Sequence, residues 1–221
     1  MSTPVLYVGN KNYSSWSLRP WLALAWAGVD FDTKVIPLGG DHYGKMNNPA
    51  ILAVSATGRV PALHLPSGRV VLESLAIAEW AAESATEPGI LPKDRELRAQ
   101  CRAVSAEMHS GFGAVRSELP MNIRRRTEPR DWSDLARHEI QRLIDLWQEL
   151  LAEHGGPFLF GHRTIADAMY APVCTRFRTY GVELPAAASA YCDAVFADAD
   201  FKRWERDALA EEWAIESTDA V

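Results

Sequence analysis

Ser14, Ser15 and Ser17 lie together in the stretch Tyr13-Ser14-Ser15-Trp16-Ser17-Leu18-Arg19-Pro20, just after an apolar run at residues 5–8. The residues that follow have helical spacing, so the hydroxyls sit at a strand-to-helix junction. A helix N-terminus offers unpaired N–H groups and a partial positive charge. A hydroxyl placed there can donate to a bound anion such as a thiolate. Environments of this kind lower a thiol pKa from its usual value of about 8.5 by a unit or more. From this stretch alone, Ser14 or Ser15 as a plain helix cap is the favoured reading.

Two further stretches carry the same double reading. Val60-Pro61 opens an apolar run. A cis bond there would turn the Val60 backbone groups outward, free to pair with an extended peptide. Roughly one X–Pro bond in twenty is cis in folded proteins, so a trans proline at a strand start is the plain alternative. At Glu73-Ser74 a hydroxyl and nearby amides at a helix start would suit a carboxylate, and the Glu73 carboxylate would suit an ammonium. The pair fits the zwitterionic end of an amino acid, and also an ordinary N-cap.

These residues must be positioned by regular elements. Residues 4–8 read as a buried strand. A helix follows from Ser15 to Ala27, with Leu18, Trp21, Leu22 and Ala25 at helical spacing and Gly28 as its stop. Residues 31–36 alternate as a second strand. Residues 37–58 are a glycine-rich loop with room for one short helix. Residues 60–65 and 69–72 form a hairpin around Pro66-Ser67-Gly68. A helix opens at Glu73-Ser74. The order β-α-β then β-β-α implies a parallel first pair and an antiparallel second pair.

Residues 84–94 hold turn residues and two prolines and read as a linker. Everything beyond reads as helix: 95–118 in one piece, 132–154 with an apolar stripe, a third helix started by the capping box Thr164-x-x-Asp167, then 186–197 and 199–210. The tail from about Ser217 is expected to fray.

Composition narrows the classes of function. The 221 residues carry a formal net charge of −6, which disfavours nucleic acid or an anionic membrane as the main partner. The three cysteines, 101, 174 and 192, are widely spaced, so neither disulfides nor zinc is expected. Without a basic stretch followed by an apolar one at its start no signal peptide is expected, and no apolar run approaches membrane-spanning length, which makes a cytoplasmic protein the expectation.

Ser14 and Ser17 have the spacing of the two cysteines of a thioredoxin-like CxxC, without a thiol to exchange. Taken in order, a serine at the first helix, Val-Pro before a hairpin and Glu-Ser-x-Ala-Ile at the next helix resemble the cytosolic glutathione transferases. Ser14-Ser15-Trp16-Ser17-Leu18-Arg19 resembles the SSCSxR motif of the zeta class, which includes maleylacetoacetate isomerases. The resemblance implies a thioredoxin-like domain at 1–83, a linker at 84–94, and an all-α domain at 95–221 carrying the electrophile pocket. It implies a homodimer that binds glutathione as co-substrate, with no metal.

By the same resemblance, Ser14 activates the glutathione thiol. Val60, with Pro61 cis, pairs with the cysteinyl backbone. Glu73 and Ser74 hold the γ-glutamyl end, Lys45 reaches for the glycine carboxylate, and Ser15, Trp16 and Arg59 complete the tripeptide site. Thr164 and Asp167 are structural. Met108, Phe112, Arg116, Met121 and Asn122 are candidates for the electrophile pocket, although the spacing of Met108 and Phe112 suits core packing equally. Arg124-Arg125-Arg126 is either a solvated charge run or a clamp for an acidic substrate. The sequence departs from the zeta pattern at Trp16, where that class has cysteine. Arg176 and Arg178 both lie close to the place of its substrate-binding arginine. The implied activity is a transferase. The alternatives are a cis-trans isomerase that does not consume glutathione, and a binding module without turnover.

Overall fold

The structure, a computed structural model, describes residues 3–85 and 89–221. Four short strands form one sheet in the order β2-β1-β3-β4. They are β1 (Val5–Val8), β2 (Asp32–Val35), β3 (Ala62–His64) and β4 (Val70–Leu72). β1 pairs in parallel with β2, Val5 opposite Asp32, and antiparallel with β3, Leu6 opposite Leu63. β3 and β4 are the expected hairpin, Leu63 opposite Val71. The crossover between the parallel strands is α1 (Ser15–Trp26). It ends as the sequence implies: Gly28 has φ 69°, and the Val29 amide donates to the Leu24 carbonyl at 3.1 Å.

A short α2 (Pro49–Leu52) interrupts the loop after β2. The helix after the hairpin is α3 (Ser74–Ser84). Its N-cap is Glu73 and not Ser74: the Glu73 carboxylate accepts from the Leu75 amide at 3.0 Å and from the Ser74 hydroxyl at 3.3 Å. The expected linker falls partly on residues 86–88, outside the described residues; α4 (Arg95–Ser110) begins beyond it.

The single helix expected over 95–118 is two. α4 stops at Ser110, and α5 (Gly113–Glu118) starts after a Phe112 with φ 61°. Gly111 explains the break: a Cβ there would lie 2.9 Å from the Glu107 carbonyl oxygen. Arg116 then reaches back to the end of α4, Nε to the Gly111 carbonyl at 2.9 Å and Nη2 to that of His109 at 3.2 Å. A cation on the last carbonyls of a helix opposes its negative end.

α6 (Asp134–His154) buries Ala136, Ile140, Leu143, Ile144, Trp147 and Leu150 along the expected stripe. α7 (Ile165–Thr179) is the buried centre of the helical part and packs against both α1 and α4. Its start is held by Asp167, whose carboxylate accepts from the Thr164 amide at 2.8 Å, the Thr164 hydroxyl at 2.9 Å and the Leu159 amide at 3.0 Å. α8 (Ala186–Ala197) and α9 (Ala199–Ala210) follow as expected.

The tail does not fray. It turns into α10 (Glu216–Asp219), with Ile215 and Thr218 buried. Arg124 and Arg125, expected to be solvated or to clamp a substrate, instead hold this tail through the carbonyls of Glu211, Trp213 and Asp219.

Candidate active site

Ser14 stands at the N-terminus of α1, where no acidic residue occupies the first turn. The local field is therefore left for an external anion. The Ser14 side chain does not cap the helix. Its hydroxyl donates to Ser17 Oγ at 2.8 Å, and Ser17 Oγ accepts from the Gly9 amide at 3.0 Å. Ser14 is nearly buried, and turning its hydroxyl away from Ser17 would free a donor at the helix start.

Ser15 is committed elsewhere. Its hydroxyl accepts from Arg176 Nη2 at 3.1 Å, and the same guanidinium donates to the Leu119 carbonyl. Of the two arginines near the expected place, Arg176 is the one at this junction, while Arg178 pairs with Glu205. Burial, then the neighbouring Arg116, hold Arg176 down to about 9.

Arg19 lies one helical turn after Ser15 and is fully buried. Among the described residues its guanidinium nitrogens have no hydrogen-bond partner. Burial lowers its pKa well below the ordinary value, Arg116 and Arg176 lower it further, and Glu73 opposes them. Three cations thus converge, with the Glu73 carboxylate acting on Arg19 and that of Glu139 on Arg116. Trp16 lies among them, its ring centroid 4.5 Å from Arg19 Cζ and 4.7 Å from Arg116 Cζ, with the His109 ring against its edge at 5.3 Å. His109 Nε2 lies 3.6 Å from Glu73 Oε2.

The Val60-Pro61 bond is cis, and Ser74 is buried at the start of α3. Arg59 and Lys45 are exposed on the loops around α2. Met108, Phe112, Met121 and Asn122 are buried, and Arg116 is half-buried. Asn122 is engaged on both sides of its amide: Oδ1 accepts from Asn12 Nδ2 at 2.9 Å, and Nδ2 donates to Asp219 at 2.7 Å. Two depressions, of about 420 and 400 Å³, lie elsewhere, one beside Trp26, Phe158 and Arg163 and one beside Trp21, Arg203 and Asp207. Neither includes Ser14.

Sequence reasoning missed the part played by Arg19, which it held only as a motif letter, and by Glu211 and Asp219 in the tail. A buried arginine inside an otherwise apolar helix face was the available signal for the first. The tail gave none.

A small mixed sheet, with a serine at the start of its crossover helix and an all-helical bundle behind it, defines a thioredoxin-like domain joined to a helical domain. The chain matches the glutathione S-transferase N-terminal domain over residues 13–84 and the glutathione S-transferase C-terminal domain over residues 130–208. It belongs to the glutathione S-transferase family, whose members are enzymes that use glutathione. It is 29% identical over 190 residues to the maleylacetoacetate isomerase of Pseudomonas aeruginosa, covering 82% of this chain and 84% of the relative.

Among solved structures it resembles a glutathione transferase homolog from Burkholderia gl BGR1 with bound glutathione (25% identity, TM-score 0.71, 96% of this chain and 100% of that one). It also resembles the maleylacetoacetate isomerase of Anaeromyxobacter dehalogenans 2CP-1, with dicarboxyethyl glutathione and citrate in the active site (25% identity, TM-score 0.66, 93% and 92%). Among the described residues, no group of His, Cys, Asp and Glu is placed to hold a metal ion, and no helix is long and apolar enough to cross a membrane.

Proposed function

We propose that the chain is a glutathione transferase in which the Ser14 hydroxyl stabilises the glutathione thiolate for attack on a small electrophile. The observation that carries this reading is the Ser14 hydroxyl, held 2.8 Å from Ser17 at a helix start free of acidic residues. On binding, it exchanges Ser17 for the sulfur. The thiol proton goes to solvent, the thiolate forms a carbon–sulfur bond with the electrophile, and the leaving group departs with its electron pair. The hydroxyl and the helix field stabilise the anion before attack and raise its fraction at neutral pH.

Residues 1–83 supply the tripeptide site: Val60 for the cysteinyl backbone, Glu73 and Ser74 for the γ-glutamyl end, Lys45 for the glycine carboxylate, with Ser15, Trp16 and Arg59 at its margin. Residues 95–221 supply the electrophile pocket around Met108, Phe112, Arg116, Met121 and Asn122. The chain is read as a cytoplasmic homodimer, which sedimentation tests. The experiment on mechanism is Ser14→Ala assayed with 1-chloro-2,4-dinitrobenzene. Folding and glutathione binding are retained while turnover drops about 100-fold, the scale of a lost oxyanion-type donor. Full activity in that variant would remove Ser14 from the role.

The cluster of Arg19, Arg116 and Arg176 favours a second reading, isomerisation of a cis-unsaturated dicarboxylate-like substrate by addition and elimination of glutathione. Buried Arg176, and buried Arg19 whose guanidinium nitrogens have no hydrogen-bond partner among the described residues, suit an anionic substrate. The isomerase relative holding dicarboxyethyl glutathione supports it. Glutathione consumption separates the two: conjugation depletes it and isomerisation returns it.

A further inference from the structure

The three residues in front of Ser14 belong to a loop that makes few regular hydrogen bonds of its own. Within it, the Tyr13 and Ser14 amides donate to the Asn10 carbonyl at 3.1 and 2.8 Å. The Asn10 side chain bonds the Leu38 backbone on both sides of its amide, and the rest of the grip comes from the helical part and the tail. Glu211, just past α9, accepts from the Lys11 amide at 2.7 Å and the Asn12 amide at 3.1 Å. Asp219, at the end of α10, accepts from the Tyr13 hydroxyl at 2.9 and 3.0 Å while also holding Asn122. Lys11, Asn12 and Tyr13 are thus each tied by a carboxylate from one carboxyl-terminal strap.

We propose that Glu211 and Asp219 are positioning residues for Ser14, so that the strap forms part of the catalytic apparatus. The proposal rests on the reading of Ser14 as the thiol activator. A donor to a sulfur acts only if its oxygen is held within tenths of an ångström, and a shift of about 1 Å can cost about 100-fold in rate. The loop that carries this oxygen is fixed from outside the sheet: Asp207 pairs with Lys11 Nζ at 2.6 Å, Trp204 Nε1 donates to the Lys11 carbonyl at 3.0 Å, and Asn12 bonds Asn122 and the Ile123 and Arg124 amides. Within that frame Glu211 and Asp219 are the two strap carboxylates, and neither touches an expected glutathione contact.

Burial raises the Glu211 carboxyl above its ordinary value, against the lowering effects of the Lys11 and Asn12 amides, the Lys11 ammonium and Arg124. The strap is built in rather than laid on: Ile215 and Thr218 are buried, Arg124 and Arg125 hold its carbonyls, and the Tyr43 hydroxyl lies 3.4 Å from Thr218 Oγ1. Val60, Glu73 and Ser74, the expected grip on the tripeptide, lie on other elements. The strap should therefore act on the sulfur and leave the affinity for the tripeptide alone.

The test uses the full chain with Glu211→Gln, Asp219→Asn, Tyr13→Phe and Ser14→Ala. Tyr13→Phe cuts the Asp219 contact from the loop side and leaves both carboxylates in place, so it keeps the test valid should a strap variant fail to fold. The pKa of bound glutathione is followed by the ultraviolet absorbance of its thiolate. Binding is measured with S-methylglutathione, which has no thiol to ionise. The expected result is a bound thiol raised by about one unit in the strap and Tyr13 variants, hence about tenfold less thiolate below the pKa. Their turnover of 1-chloro-2,4-dinitrobenzene falls with it, S-methylglutathione affinity is unchanged, and Glu211→Asp recovers part of the loss. An unaltered thiol pKa beside a lowered melting temperature would make the strap merely structural and overturn the proposal. Faster turnover in Asp219→Asn would overturn it too, showing a barrier rather than a positioner. If Ser14→Ala itself leaves the thiol pKa unmoved, the reading of Ser14 fails, and that result is separate from anything the strap variants do.

Discussion

Arg176 Nη2 donates to the Ser15 hydroxyl at 3.1 Å, from the buried helix α7 to the first turn of α1. The guanidinium also serves the Leu119 carbonyl, so one cation joins three segments at the candidate site. Arg176→Ala strands a buried hydroxyl and a carbonyl, each costing about 1–3 kcal/mol, and relieves repulsion on Arg19 and Arg116. The expected net loss is about 2 kcal/mol in urea unfolding. The wild type should also be stabilised by citrate at constant ionic strength, and Arg176→Ala much less so. Equal stabilisation of both proteins would mean that the cluster is not an anion site.

Trp16 takes the place of the zeta cysteine, and its ring lies against both Arg19 and Arg116. Each cation–ring contact contributes about 0.5–1 kcal/mol at a partly exposed site. Trp16→Ala should therefore lower stability by about 1–2 kcal/mol and, by opening the space between the arginines, alter KM for the electrophile more than KM for glutathione. Trp16→Cys restores the SSCS pattern and should raise isomerisation relative to conjugation. Kinetics with one aryl halide and one cis-unsaturated keto acid check both, and a ratio unaffected by either substitution would remove Trp16 from substrate selection.

The β-α-β and β-β-α order was legible because strand alternation, Gly28 and the Pro66-Ser67-Gly68 turn are local signals. So were the α6 stripe and the Thr164–Asp167 box. The break between α4 and α5 was half visible: Gly111 and Gly113 weaken a helix, but the close approach of the Glu107 carbonyl is a three-dimensional fact. Ser14 and Ser74 stood out because each lies at a helix start, whereas the other expected glutathione contacts, Lys45 and Arg59 among them, rested on the family resemblance. The arginine cluster and the docked tail could not, since Arg19, Arg116 and Arg176 are brought together only by packing. Asp219 is 206 residues from the tyrosine that it holds, and no periodicity records such a contact.

Gly58 connects the exposed loop carrying Lys45 to the sheet. Its φ is 65°, and a Cβ there would lie 2.5 Å from the Met46 carbonyl oxygen. Left-handed backbone costs an ordinary residue about 1–2 kcal/mol before any clash. Gly58→Ala should therefore destabilise by about 2 kcal/mol or more and push Met46 and its neighbour Lys45 outward. KM for glutathione should rise while the bound thiol pKa stays put. Unchanged KM would show that Lys45 does not reach the tripeptide.

Asp167 gives a pH dependence of definite sign. Burial pushes its carboxyl up to about 6 from an ordinary 3.8, against the lowering effect of the Leu159 and Thr164 amides and the Thr164 and Tyr191 hydroxyls. Between those values the folded chain binds the proton more than the unfolded chain does. Its contribution to stability is therefore full below the lower value and falls as pH rises through the upper one. A shift of this size corresponds to about 3 kcal/mol. Asp167→Asn cannot titrate, so the stability of the wild type minus that of the variant, measured in urea, should shrink from about pH 4 to about pH 7. A difference that grows with pH over that range would mean that the hydrogen bonds to Asp167 outweigh its burial and keep it ionised in the folded chain.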